Sequence, residues 1–141
     1  MANTFQTVSI THQGALRAIQ LGIDNGAERG LAVCVTVVDP ALAVVAMARA
    51  DGTTPHSVQT SLRKANTAAS TRRPTGWMEG DFALALPLGT DNLLTNIKGG
   101  VPVIFEGQVV AGLGVAGGPP DVDAEIALAT LSALGAEQPG A

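Results

Sequence analysis

Residues 31–52 read LAVCVTVVDPALAVVAMARADG, and this stretch decides the fold. Leu31–Val38 is an apolar run rich in β-branched residues, which suits a strand covered on both faces. Asp39-Pro40-Ala41 has turn chemistry. Leu42–Arg49 then reads as a second strand, and Ala50–Thr53 as a loop. So short a connection makes the two strands an antiparallel hairpin. Upstream, residues 8–29 carry His12, Ala15, Leu16, Ile19, Gly22, Ile23 and Gly26 at helical spacing. Ser9 or Thr11 is placed to cap that helix, and Gly30 to close it. Downstream, Thr54-Pro55 opens a second helix, with Val58, Leu62, Ala65 and Ala69 as its inner stripe and Arg72-Arg73-Pro74 as its stop.

Beyond residue 75 the chain reads as a short turn (75–81), then FALALPL broken by Pro87, which suggests a loop or an edge segment. Leu93–Ile97 suits a short strand. Val101–Phe105 and Gln108–Gly117 form a second hairpin around Glu106-Gly107. A last helix starts at Asp121, with Ile126, Ala129 and Ala133 facing inward, and 136–141 is a polar tail. Helix, hairpin, helix, hairpin, helix is the order of an α+β protein: an antiparallel sheet, about five-stranded, with flanking helices. Its 141 residues suit one domain, 1–141, with a core over about 8–135.

Composition narrows the function. Apolar residues make up 46% and charged residues 14%, far from a disordered chain. With eight Lys and Arg, a net charge of −4 and four aromatic residues (three Phe, one Trp), neither a phosphate-binding surface nor a stacking platform is expected, so no nucleic acid partner is predicted. The single Cys forms no internal disulfide. The first residues lack the pattern of a signal peptide, and no apolar run is long enough to span a membrane. A cytoplasmic protein is the expectation.

Few residues carry chemistry. Gly112–Gly117 spells GxGxxG after a strand, yet a hairpin strand with one helix left after it is the wrong context for a dinucleotide fold. The plainer reading is close backbone approach, and Gly117, Gly118 and the last helix could also present amides to a carboxylate. Cys34 lies in a buried strand and only His12 and His56 remain as nitrogen ligands, so no metal site is predicted. His56 with Gln59 or Thr60 and Arg63 shares one side of the second helix, either as an acid/base and anion-binding wall or as a solvated face. Ser57, Ser61 and Ser70 lack a nucleophile elbow. Arg49 ends an apolar strand beside Asp51, suited to a local ion pair or to a substrate carboxylate.

Several blocks together resemble the GlcG/HbpS/PduO C-terminal family of haem-degrading and haem-binding domains. They are AVCVTVVDPALAVVAMARADG (32–52), RKANTAA (63–69) and GGVPVIFEGQVVAGLGVAGGPPDVD (99–123). The third is the most specific. The resemblance implies a profilin-like five-stranded sheet, a homo-oligomer, often an octamer, and haem as a cofactor of some members. Gly112, Gly114 and Gly117 fit the close packing of such an oligomer. A Gly-containing turn is common in the family where this chain has Asp39-Pro40-Ala41. Arg49, Asp51, Lys64, Thr67, Gly99, Gly100, Pro102, Gly107, Gly114, Gly117, Gly118 and Asp123 match the family pattern. A pocket is expected where the Asp51 loop, the 55–72 helix and the Gly99–Pro102 turn converge.

Three functions are compatible with these features. The first is a small-ligand-binding protein, with haem as the first ligand and His56 or His12 as axial ligand. The second is a cofactor-independent isomerase, tautomerase or hydrolase of a small organic acid or carbonyl compound in a catabolic pathway. There His56, Asp51 and Lys64 are catalytic, and Arg49, Arg63 or Lys64 anchors a carboxylate. Thr67, Gly99, Gly100, Pro102, Gly117 and Gly118 complete the ligand-binding set in either case. The third is an oligomerisation module without a ligand of its own.

Overall fold

The β-branched runs, paired through tight turns, generate a single four-stranded antiparallel sheet in the computed structural model, which describes residues 1–140. The elements run α1 (His12–Glu28), β1 (Cys34–Val38), β2 (Val44–Arg49), α2 (Ser57–Thr71), α3 (Gly80–Gly89), β3 (Gly100–Phe105), β4 (Gln108–Ala116) and α4 (Pro120–Leu134). The strand order is β2-β1-β4-β3. Both hairpins form as the sequence implies. Asp39 Oδ1 accepts hydrogen bonds from the amides of Ala41 (2.8 Å) and Ala43 (3.0 Å), which closes the first turn. Glu106 and Gly107 both take positive φ (51° and 75°), as the type I′ hairpin turn requires.

The two faces of the sheet differ. Val35, Val37, Val101, Val103, Ala111, Leu113 and Val115 join Ala15, Ala18 and Ile19 of α1 and Ile126, Ala127 and Leu131 of α4 in the main core. The alternate residues face α2 and are mostly small or polar, with Val38 packing on Ala65 and Ala69. A Cβ on Gly112 or Gly114 would run into the backbone carbonyls of Ala65 or Ser61 of α2. Thr36 and Ser61 share a hydroxyl hydrogen bond (2.7 Å) across this interface, with Cys34 Sγ 3.3 Å from the same Ser61 hydroxyl. The glycines of β4 therefore serve the approach of a helix of the same chain, and the GxGxxG string is explained without a second subunit or a dinucleotide.

Several expectations need correction. The sheet, expected with about five strands, has four among the described residues, and the expected strand at Leu93–Ile97 does not form: this stretch lies along α2, where the Thr95 amide donates to Thr67 Oγ1 (2.8 Å). FALALPL is helical although Pro87 lies inside α3: its missing N–H leaves the Ala83 carbonyl without a helical donor, on a helix with no buried residue, and the Pro87 carbonyl accepts from Asn92 (2.7 Å) as the helix ends at Gly89. On α1 the buried face is Gly14, Ala15, Ala18, Ile19, Gly22 and Gly26, while His12 and Leu16 are exposed. Thr11 is its cap, accepting from the Gly14 amide at 3.0 Å. α2 begins at Ser57, later than Thr54-Pro55 suggested, and buries Ser61, Lys64 and Asn66–Ala69, with Val58 and Leu62 only half-covered. On α4 the inner residues are Ile126, Ala127, Thr130 and Leu131; Ala133 is exposed. The tail is fastened: the Glu137 amide donates to the Ile104 carbonyl (3.0 Å), and its carboxylate accepts from the Gly107 amide (3.0 Å).

Candidate functional site

A lysine is rarely buried without a partner, and Lys64 is 1% exposed. It points from α2 towards the C-terminal end of β4, where its Nζ donates to the Val115 carbonyl (2.8 Å) and to Asp123 Oδ2 (3.0 Å). Asp123, equally buried, lies in the first turn of α4, and its Oδ1 accepts from the Gly118 amide (3.0 Å). The amides at Gly117-Gly118 do meet a carboxylate, and it is the chain's own. Gly99 (φ 129°) makes room for the lysine: a Cβ there would lie 2.8 Å from Nζ and 2.6 Å from the Val115 carbonyl oxygen. Gly100 packs on the Lys64 backbone in the same way.

Burial dominates the electrostatics of this pair. It pulls Lys64 below the usual ammonium value and pushes Asp123 above the usual carboxylate value. The opposite charge of each partner and their shared hydrogen bond resist the shift, and the Gly117 and Gly118 amides add to that resistance on Asp123. The ion pair is thus held in a low-dielectric place, where burial weakens the charged form of both members.

The pair forms part of the wall of a pocket of about 360 Å³. The N-terminal part of α2 supplies His56, Ser57 and Thr60 to the lining, and Thr54 precedes them; Ile97, Ala116, Gly117, Gly118 and Pro120 close the remainder. Lys64, Asp123 and His56 are its titratable residues.

The residues expected at one site are divided by this geometry. His56, Lys64, Gly117 and Gly118 line the pocket, and Gly99 and Gly100 shape the space around Lys64. Asp51 sits exposed in the turn after β2, outside the lining, and Arg49 is exposed at the end of β2. The two ion pairs among the described residues are Lys64–Asp123 and Lys98–Asp121, so the Arg49–Asp51 contact does not form. Arg63 turns to a different groove with Gln59, Asn66 and the 90–93 loop, because one and two helical turns from His56 reach Thr60 and Lys64 on the pocket side. Thr67 is buried as a structural bridge, donating to the Arg63 carbonyl (2.7 Å) while accepting from Thr95. Pro102 is buried within β3 opposite Gly112, away from the lining. His12 is exposed on α1, also outside it.

Asp123, which matches the family pattern but falls outside the pocket the sequence implied, is the partner of Lys64. The signal for it was indirect: a lysine on the inner face of a small-residue helix needs a buried anion, and Asp123 follows the Gly117-Gly118 bend. Among the described residues no three His, Cys, Asp or Glu lie close enough to hold a metal ion, and no helix is long and apolar enough to cross a membrane.

The model of the haem degrading protein HbpS-like family matches residues 10–132. The chain belongs to the HbpS-like family. This HbpS-like chain is 33% identical over 109 residues to Protein GlcG of Escherichia coli K12, a match covering 77% of this chain and 81% of GlcG. Among solved structures, ORFY of Klebsiella pneumoniae superposes with a TM-score of 0.86 at 27% identity, covering 96% of this chain and 97% of ORFY. HbpS of Streptomyces reticuli, in a double-mutant form, superposes at 0.83 and 32% identity, covering 94% and 92% of the two chains. The α+β architecture is thus shared along nearly the whole length of the HbpS-like chain, and the block at residues 99–123 that suggested the family contains the Gly99, Gly117 and Asp123 around Lys64.

Proposed function

We propose that this HbpS-like chain binds a small organic ligand in the pocket between the start of α2 and the start of α4, with haem as the first ligand to test. The observation that carries the reading is the pocket itself: about 360 Å³, with an imidazole and a buried ion pair among its lining residues. Its volume falls near the lower end of the roughly 300–1,000 Å³ common for ligand sites. The description of the family as haem degrading, together with the likeness to HbpS, supports haem as the ligand.

The donor set fits a haem held from one side. His56 is the lining residue able to ligate iron, and a histidine is a common axial ligand. Bound haem would supply a redox-active iron. If haem binds, Ile97 and Ala116 would offer it aliphatic contact, with the Lys64–Asp123 pair lining the same pocket. Hemin titration of the purified protein is expected to give a shifted Soret band that His56→Ala abolishes and His12→Ala leaves in place. Absence of any Soret shift overturns haem as the ligand.

Self-association forms part of the same proposal. The resemblance implies a homo-oligomer, and the β4 glycines that seemed to offer its contact face are taken by α2. α3 is the available surface: it is apolar apart from Asp81 in its first turn, yet none of its residues is buried in the single chain. A second copy covering it accounts for an apolar helix left open to solvent. Sedimentation of the intact protein is expected to give a mass above that of one chain, and a monomer at micromolar concentration would remove this part of the proposal.

A further inference from the structure

We propose that Lys64 is a carbonyl-trapping amine, forming an iminium with a small aldehyde or ketone that enters the pocket, with Asp123 as its proton-transfer partner. The inference rests on the pocket being a ligand site, and it adds a covalent chemistry that haem binding does not require. Four observations support it. Lys64 lines a pocket wide enough for a small molecule. Its Nζ holds two acceptors, Val115 O and Asp123 Oδ2, so a neutral amine can keep a donor on the Val115 carbonyl while its lone pair becomes free. A carboxylate at 3.0 Å takes and returns the protons that the reaction moves. The hydroxyls of Thr54, Ser57 and Thr60 and the His56 imidazole share the pocket and can hold a carbonyl oxygen.

The steps balance. A proton passes from the Lys64 ammonium to the Asp123 carboxylate, and the amine lone pair attacks the carbonyl carbon. The carbonyl oxygen takes the proton from Asp123, and the carboxylate removes one from nitrogen, giving a carbinolamine. Asp123 then protonates the leaving hydroxyl. Water departs, and the nitrogen lone pair closes a C=N⁺ bond. One carbonyl compound is consumed and one water released, with no oxidant or reductant.

The electrostatics suit this exchange. An ammonium–carboxylate pair becomes an iminium–carboxylate pair, so the buried Asp123 never loses its countercharge, and no new buried charge is created. Burial also lowers Lys64 and raises Asp123, which brings the neutral amine closer than on a solvated lysine.

The chain has two lysines, Lys64 and the largely exposed Lys98, which makes the test direct. The intact protein is treated briefly with acetaldehyde, or with pyruvate as an anionic carbonyl, and cyanoborohydride. Digestion and mass spectrometry then locate the added group. The expected result is reductive alkylation of Lys64 ahead of Lys98 and the N-terminal amine. Lys64→Arg is expected to lose only the pocket label, and Asp123→Asn to slow it by roughly 10²-fold, the low end for a positioned proton-transfer group. Modification of Lys98 and the N-terminus with Lys64 untouched overturns the proposal, and the wild-type map alone gives that result if either variant fails to fold. The haem reading fails separately: a missing Soret shift with Lys64 still labelled removes haem and keeps the amine chemistry.

Discussion

α2 and α3 present opposite cases. α2, SVQTSLRKANTAAST, is mostly polar by composition, yet eight of its residues are buried. α3, GDFALALPLG, is almost wholly apolar, yet it buries none, with Phe82, Leu84 and Leu88 exposed at 59%, 69% and 81%. Side-chain size decides between them more than hydrophobicity does. Ala65, Ala68 and Ala69 let α2 reach the glycine face of β3 and β4, and most polar groups it carries inward have a partner: Ser61 on Thr36, Lys64 on Asp123, Thr67 on Thr95, with the buried Oδ1 of Asn66 left unpaired. The bulky side chains of α3 find no matching groove in their own chain.

The largest effect should come from unpairing the charge that α2 carries inward. Lys64→Ala leaves Asp123 buried and alone, and urea unfolding is expected to show a loss of about 3–5 kcal/mol. The double change Lys64→Met with Asp123→Leu should recover most of that loss, because the pair contributes little net stability once its desolvation is counted. A large deficit in the double variant would mean that the pair itself, beyond its packing, holds α2 down.

Next in size is the steric contact. Gly114→Ala puts a methyl into the Ser61 carbonyl, so α2 must shift. Thermal unfolding should report a loss of about 1–3 kcal/mol, the usual range for overpacking. An unchanged melting temperature would show that α2 has slack that the close approach does not suggest.

A smaller effect is the pH dependence. The carboxyl of Asp123 is raised in the folded chain, so its contribution favours folding at low pH and is lost as pH rises through the folded value, opposite to an ordinary surface-paired carboxylate. Lys64 is lowered, so its cost is greatest where it is charged and eases as pH rises through its folded value. Unfolding free energies measured from acid to neutral pH should therefore fall more steeply in the wild type than in Asp123→Asn. Parallel profiles would remove Asp123 as the cause.

The smallest change in fold stability is expected at α3. Leu84→Glu with Leu88→Glu should alter single-chain stability by no more than about 0.5 kcal/mol per site, as for surface positions, while lowering the sedimenting mass. A destabilised chain of unchanged mass would mean that α3 packs on its own body in solution.

These contrasts also show which parts of the molecule were legible in the sequence. The hairpins were, because Asp39-Pro40 and Glu106-Gly107 are local turn chemistry flanked by β-branched runs. Lys64, His56 and the glycines at 99, 100, 117 and 118 were picked out by the family resemblance and the helical spacing. Asp123 was not placed beside Lys64, since 59 residues separate them and only the fold closes that distance. Arg49, Asp51 and Arg63 looked like neighbours of His56 because they are near in sequence, but strand direction and helical phase send them elsewhere. α3 was hidden by Pro87, which reads as a helix breaker in sequence yet is accommodated inside a solvent-exposed helix that ends two residues later.

One further consequence concerns the ends of the sheet. β2 and β3 are its edges, and they are chemically unlike. β3 carries Pro102, which offers no N–H, and its Ile104 carbonyl is already taken by the Glu137 amide. That edge is therefore a poor template for another strand, while β2 keeps an open rim with Val44 and Met47 exposed. The short stretch after α4 thus guards one side of the sheet against unwanted strand addition. Truncating the chain before Glu137 would free the Ile104 carbonyl for another strand and leave Pro102 as the remaining guard of that edge, without touching a single core residue.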